Sequence, residues 1–486
     1  MKKRIFALLT LLALLLCIVC GCASDTDNVD SVTESSTVTE GESETDRIPY
    51  DTNGLNYGGY TFRVLNYSNV LDNGWSDIPN DLNVEAENGD LLNDSVYNRN
   101  KKVEDNLNIE ISCRDLGHND LSNAISKSVM SGSDDFDAAF PRMYLFQQLA
   151  NSELLLDLNS IDAFDFSQPW WNQNSVECLT ILGKLFGVAS DITFQDKLST
   201  YVTFFNHQLA EDYGLGDLYS LVENNEWTLD KLLQLGENAS HDIDNNGIYD
   251  DRDSYGLSCQ NDGVYILLHA ANLRICKQDS DGKIVFALTE EKAVNTLQKI
   301  YSVVLDSRRY FNRQTFNLTL NDAVNMFNDN RTLFLIRPIQ SLFLMRNMQS
   351  DFGILPLPKL DINQSSYGSA VNPYSATLLC IPLSVFDAER SAEILQYLAY
   401  ESHYTVIGPL YETVLGTKLI RDESSVKMLD ITFGSSIYDI GLIWDFAGIV
   451  ETIMLNKDTN VASMLAANES AVIQAIENLN EIVAKK

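Results

Sequence analysis

The chain has 486 residues, 45% of them apolar, enough for two or three ordinary domains with real cores; disorder of the whole is excluded. Acidic residues outnumber basic ones 68 to 34, a net charge of −34, and such a surface stays soluble and repels nucleic acid. Residues 1–22 read as an export signal: Lys2, Lys3 and Arg4, the apolar run "IFALLTLLALLLCIV", then small residues. An uncleaved membrane anchor is the alternative for that run. Its removal deletes three positive charges and no negative ones, taking the chain from −34 to −37. Residues 23–56, rich in Ser, Thr, Asp and Glu, bury too little to fold and read as a disordered tether. A flexible chain of about 32 residues spans roughly 30 Å.

The body opens with "YTFRVLNY", Tyr60 to Tyr67, an alternating strand, followed by a long loop containing Trp75. Leu92, Val96, Val103 and Leu107 fall near helical spacing, and "NIEIS" then switches to strand period. Strand, loop, helix and strand recur through "DDFDAAF" and "YLFQQLANSELLLDL", which predicts a parallel sheet wrapped by helices. A second set begins at "KLSTYVTFF". In it Thr228 reads as the N-cap of a helix striped by Leu229, Leu232, Leu233 and Leu235. Helices at "GVYILLHAANL" and "EEKAVNTLQKIYSVV" follow, then a helix running into a strand at Arg331. Apolar strands are expected at "DFGILPLPKL" and "ATLLCIPLS", then a helix at "DAERSAEILQYLAYES" and a mainly helical C-terminus.

Between helix and strand of the second set lies "DIDNNGIYDDRD", Asp242 to Asp253. Its spacing is that of an oxygen cage for calcium, with Asp242, Asp244, Asn246, Asp250 and Asp253 as side-chain ligands and Ile248 supplying its carbonyl. Gly247 allows the tight central turn. Asp253 stands where a longer Glu is usual. Of eight Cys, Cys17, Cys20 and Cys22 belong to the export segment, and no CxxC or Cys/His cluster remains for zinc. Cys178, Cys276 and Cys380 sit in apolar runs, where buried free thiols are the common state. A Cys259–Cys276 disulfide is the one pairing considered.

Two resemblances follow from these blocks. "VCGC", Val19 to Cys22, before Ala-Ser-Asp resembles the lipobox of bacterial lipoproteins, which implies acylation at Cys22 and a lipid anchor on the outer face of the cell membrane. The series "YVTFFNHQLAEDYGL", "ENNEWTLDKLLQLGENA", "DIDNNGIYDDRDSYGL", "NDAVNMFNDNRTLFLI", "FGILPLPKLD", "ATLLCIPLS" and "ERSAEILQYLAYES" is similar to the family 1 extracellular solute-binding proteins of carbohydrate ABC importers. That likeness implies an α/β, two-lobed periplasmic-binding-protein-like clamshell, each lobe a mostly parallel sheet flanked by helices, with ligand in the cleft at the strands' carboxyl ends. It assigns residues 57–190 plus 313–360 to the first lobe and 191–312 plus 361–486 to the second. The calcium loop becomes a structural element away from the cleft. The expected partners are a sugar or another small polar ligand and a permease, and the expected state is a monomer.

A sugar presents hydroxyl edges and a C–H-rich face, so its receptor needs aromatic platforms and planar hydrogen-bonding side chains. By position in the resembling blocks the candidates are Trp75, Arg142, Tyr144, Asp191, Tyr265, Arg337, Tyr438 and Trp444. Six have a bland alternative: surface packing for Trp75, a salt bridge for Arg142, a hinge cap for Asp191 and by the same logic for Arg337, core for Tyr265, and an apolar helix face for Trp444. Trp170 and Trp171 read as packing residues. A surface-tethered glycan hydrolase would need two carboxylates at a set separation, which sequence does not measure. No GxSxG, HExxH or phosphate loop is present. A calcium-dependent adhesin would ordinarily carry several such loops.

Overall fold

Tyr60–Tyr67 forms strand β1, whose buried residues Phe62, Val64 and Leu65 seat it on the core. The computed structural model describes residues 47–485, apart from 53, 69, 72–77 and 417–422. Further strands follow in order: β2 (Ile109–Leu116), β3 (Ala138–Phe140), β4 (Tyr201–Asn206), β5 (Tyr255–Cys259), β6 (Cys276–Gln278), β7 (Ile284–Phe286), β8 (Tyr310–Asn312), β9 (Thr332–Pro338), β10 (Phe352–Leu355), β11 (Ser369–Ala370) and β12 (Ser436–Ile437). The first sheet, β2-β1-β3, is parallel, with Tyr60 opposite Ile109 and Val64 opposite Ala138. The second, β10-β4-β9-β5-β8, is mixed: β5 runs parallel to β8 and β9, while β4 is antiparallel to β9 and β10. β4 and β9 are buried along their whole length, as central strands covered on both faces must be.

Helix α1 (Leu91–Leu107) starts where the Asp90 carboxylate accepts the amides of Leu92 and Asn93, and stops at Asn108, whose φ of 50° is left-handed. It buries Leu92, Val96, Val103 and Leu107, the stripe read from the sequence. α2 (His118–Ser131) and α3 (Met143–Asn151) complete the first crossovers. In the second set, α4 (Leu229–Gly236) is capped by Thr228, whose hydroxyl accepts the Lys231 amide. α5 (Gly263–Ala270), α6 (Glu291–Val304) and α7 (Leu320–Asn328) follow, then α8 (Ala388–Thr405) and the terminal α9 (Val461–Lys485). Among the described residues no helix is long and apolar enough to cross a membrane.

The sheets separate two halves, and they correct the expected partition. β9 and β10, from the 313–360 segment expected in the first lobe, pair with β4 and β5 of the second. Conversely, residues 376–382, expected in the second lobe, bridge to the first: Cys380 to Ala139, Thr377 to Arg142, Leu379 to Val188. These bridges replace the regular strand expected at "ATLLCIPLS". α8 joins the first half too, since its Ser402 Oγ accepts from Arg99 of α1 at 2.9 Å. A run buried along its whole length, such as Thr332–Pro338, needs two strand neighbours and finds them in β4 and β5, so the chain crosses back only after Leu355. One apolar cluster runs through Val64, Trp170, Tyr201, Leu257 and Leu395, joining both halves at the crossings.

The ordered body also begins earlier than expected. Residues 47–50, assigned to the tether, lie on α8: Tyr50 packs between Trp170, Tyr397 and Tyr400 with ring centroids 4.8 to 6.2 Å away. Trp170 and Trp171 pack as expected, both nearly sealed from solvent. All five body cysteines are free thiols, so the Cys259–Cys276 disulfide does not form.

Candidate ligand-binding site

The carboxyl ends of β3, β5 and β9 and the amino end of antiparallel β4 carry a polar, aromatic cluster. The bridge between the halves is the segment 371–377. Val371 pairs with Thr200 ahead of β4, and Thr377 pairs with Arg142 after β3. Its Tyr374 ring packs on Tyr144 with centroids 4.8 Å apart. Burial, then the charge of Asp262, pushes the Tyr374 phenol above its ordinary value.

On the first half, the Arg142 guanidinium stacks over Tyr67 at 5.1 Å and its Nη2 lies 3.3 Å from His118 Nδ1. On the second, the Asp262 carboxylate accepts from Gln260 Nε2 at 2.6 Å, Tyr201 at 3.1 Å and Tyr265 at 3.4 Å, all through Oδ2. Burial raises the Asp262 carboxyl above its usual range. Gln260 Oε1 in turn accepts from Arg337 Nη1 at 3.0 Å and Arg313 Nε at 3.1 Å. A cavity of ≈ 700 Å³ opens beside Gln260, lined also by Asn261, Tyr310, Asn312 and Gln314. Gly263 holds this corner together. A Cβ there would stand 1.9 Å from the Tyr310 hydroxyl, which donates to the Gln260 carbonyl at 2.6 Å.

Four of the eight sequence-derived residues, Arg142, Tyr144, Tyr265 and Arg337, therefore belong to this cluster, although Tyr265 is wholly buried and acts behind Asp262. Trp75 falls outside the described residues. Asp191 and Tyr438 are elsewhere. Asp191 Oδ1 accepts from Lys197 Nζ at 2.7 Å and its Oδ2 lies 2.6 Å from His403 Nδ1, so both carboxylate oxygens are engaged at the lobe crossing. Burial opposes ionisation there, but Lys197 and His403 outweigh it and hold the Asp191 carboxyl below the usual range. Tyr438 donates to Asp196 Oδ2 at 3.0 Å within the same buried group. Trp444 donates its indole N–H to Asn151 Oδ1 at 2.9 Å and meets Phe146 edge-on, which is a packing role. Sequence reasoning missed Tyr374, Asp262, Gln260 and Arg313. The signal for Tyr374 was the same as for Trp75, an isolated aromatic in the polar loop "VNPYSAT".

The loop at Asp242 folds as its spacing predicts. Gly247 has a φ of 80°, and carboxylate oxygens of Asp242, Asp244 and Asp253 lie within 4.8 Å of one another. Backbone amides of Gly247 and Ile243 donate to Asp242 and Asp253, wrapping the chain around the acids. Asp250 departs from the pattern: Arg252 pairs with its carboxylate through Nε and Nη2 and turns it away from that group. The donor set is one of hard oxygens, which fits calcium.

Neither a family model nor a curated protein sequence matches the chain. Solved structures do. The cyclic α-maltosyl-1,6-maltose binding protein from Arthrobacter globiformis superposes with a TM-score of 0.57 at 15% identity, covering 87% of this chain and 100% of its own. A cyclo/maltodextrin-binding protein complexed with maltotetraose gives 0.55 at 15% identity over 88% and 97%. The galacto-N-biose/lacto-N-biose I-binding protein of the Bifidobacterium longum ABC transporter gives 0.53 at 14% over 87% and 98%. The fold is that of the two-lobed solute receptors. Arg142 and Asp262 stand just past the carboxyl ends of β3 and β5, the strand ends at which open α/β sheets take their ligands.

Proposed function

We propose that this protein is an extracellular receptor that captures a sugar or oligosaccharide between its halves and hands it unaltered to an ABC transporter permease. The observation that carries the reading is that segment 371–377 brings planar hydrogen-bonding groups of both halves together: Thr377 pairs with Arg142 of one, and Val371 pairs with Thr200, next to Tyr201, which donates to Asp262 of the other. Tyr144 and Tyr374 supply apolar ring surface for a sugar face, and Asp262 an acceptor for its hydroxyls. The solved structures of the same fold are named as sugar-binding proteins, which supports the reading. Export, acylation at Cys22 and a monomeric body outside the cell complete the proposal.

Calcium in the Asp242–Asp253 loop belongs to it as a structural ion. Asp242, Asp244 and Asp253 would hold it, with Asn246 and the Ile248 carbonyl, and Asp250 acting through water because Arg252 engages its carboxylate.

Titration calorimetry against neutral and acidic mono- and oligosaccharides, with chromatography of the recovered sugar, tests the function. Saturable binding of unchanged sugar is expected, accompanied by a smaller radius of gyration in solution scattering as the halves close. Turnover of the sugar would instead indicate a tethered hydrolase.

A further inference from the structure

We propose that the saccharide captured here bears a carboxylate, as a uronic acid does, and that Arg337 and Arg313 grip it at the carboxyl ends of β5 and β9. This rests on the receptor reading above and narrows it.

Arg337 is 2% exposed, yet its Nη1 has only the neutral oxygen of Gln260 as acceptor and its Nε has no hydrogen-bond partner. Arg313 donates to that same oxygen and to the Leu318 carbonyl. Two cations thus converge on one uncharged amide, and among the described residues neither has a carboxylate at ion-pair distance. Asp262 is the acidic group whose charge reaches both, but only from beyond that distance, while its Oδ2 takes three neutral donors.

Part-buried cations elsewhere in this chain are treated differently. Lys197 lies between Asp191 and Asp196, and Arg63 pairs with Asp137 and Asp134. The buried Arg99 and Lys359 also have no carboxylate at ion-pair distance among the described residues, but the three nitrogens of Arg99 donate to Ile192, Ser402, Asp81 and Asn100 oxygens, and Lys359 Nζ donates to Asn225 Oδ1 and the Gln364 carbonyl. With two acidic residues for every basic one, a counter-ion for Arg337 was easy to supply. A nearly sealed guanidinium left with an idle N–H needs an oxyanion from elsewhere. The planar fork of Arg matches a carboxylate in particular. Arg313 is only part-buried and so reachable from solvent, with Arg337 behind it on the Gln260 oxygen they share, and Arg142 adds a third cation on the other half.

The test compares trigalacturonate with its methyl ester, the same sugar without the charge, by titration calorimetry on the full mature chain. The acid is expected to bind at least about tenfold tighter, and added salt to shrink the ratio. Arg337→Gln and Arg313→Gln should each bring the acid-to-ester ratio close to one, and Arg337→Lys restore part of it, with melting curves confirming that each variant folds. Equal affinity for acid and ester, or a ratio untouched by both Gln variants, overturns the proposal while leaving the sugar receptor standing. Binding to no saccharide, neutral or acidic, removes both.

Discussion

Two buried charge groups in this molecule are built on opposite plans. At the lobe crossing, Asp191, Lys197, Asp196, His403 and Tyr438 pair with one another, with Lys197 between two carboxylates at 2.7 and 3.7 Å, although Asp196 Oδ1 takes no hydrogen bond. At the strand ends, Arg337 and Arg313 share one amide oxygen and, among the described residues, have no carboxylate at ion-pair distance. A group that closes on itself holds structure; a group left short of a charge is prepared for something that arrives later. Position in the chain does not tell them apart, since Asp191 and Arg337 both follow apolar strand-like runs.

The comparison can be broken first at Lys197. Lys197→Met leaves Asp191 and Asp196 buried without their cation and should cost about 3–5 kcal/mol, read from the denaturant midpoint. Calcium offers the next largest effect: at about 100 times its dissociation constant the ion should add roughly 2.7 kcal/mol, seen as a melting temperature that falls on chelation. Asp242→Asn should abolish that dependence without changing sugar affinity, because the loop stands apart from the Tyr374 cluster.

A pH effect comes third. Burial pushes the Asp81 carboxyl up to about 7 from an ordinary 3.8. Between those values the folded state keeps a proton that the unfolded state has lost, so stability falls as pH rises through that window. Asp81 contributes a slope of up to about 1.4 kcal/mol per pH unit, and Asp81→Asn should reduce the slope of thermal melts run between pH 5 and 7 by that share. The smallest effect on stability is expected at Arg337. Replacing it with Gln deletes no ion pair, so the midpoint should move by under about 1 kcal/mol, in contrast to Lys197. A loss at Arg337 as large as that at Lys197 would erase the distinction between the two groups.

Local pattern made much of the fold legible. Alternation located β1, the Thr228 hydroxyl and the leucine stripe located α4, and the acid spacing around Gly247 described the loop before its shape was known. What sequence did not carry was pairing between distant segments. β9 lies beside β5 and β4 because of register, not composition, so the lobe membership of 313–360 and 376–405 was inverted. The site suffered in the same way. Asp191 looked like a free acceptor until His403, 212 residues away, supplied its partner. Arg142 and Arg337 were identified from their places after strands, but Tyr374 and Asp262 join them only because residues 371–377 span the halves.

The bare α-carbon of Gly263 gives this arrangement an indirect adjustment. Tyr310 lies against it and holds the backbone from which Gln260 projects, and Gln260 spaces the two guanidiniums. One added methyl at 263 would lever the phenol outward and reset the gap between the cations, altering which guest fits without a change to any atom that touches it.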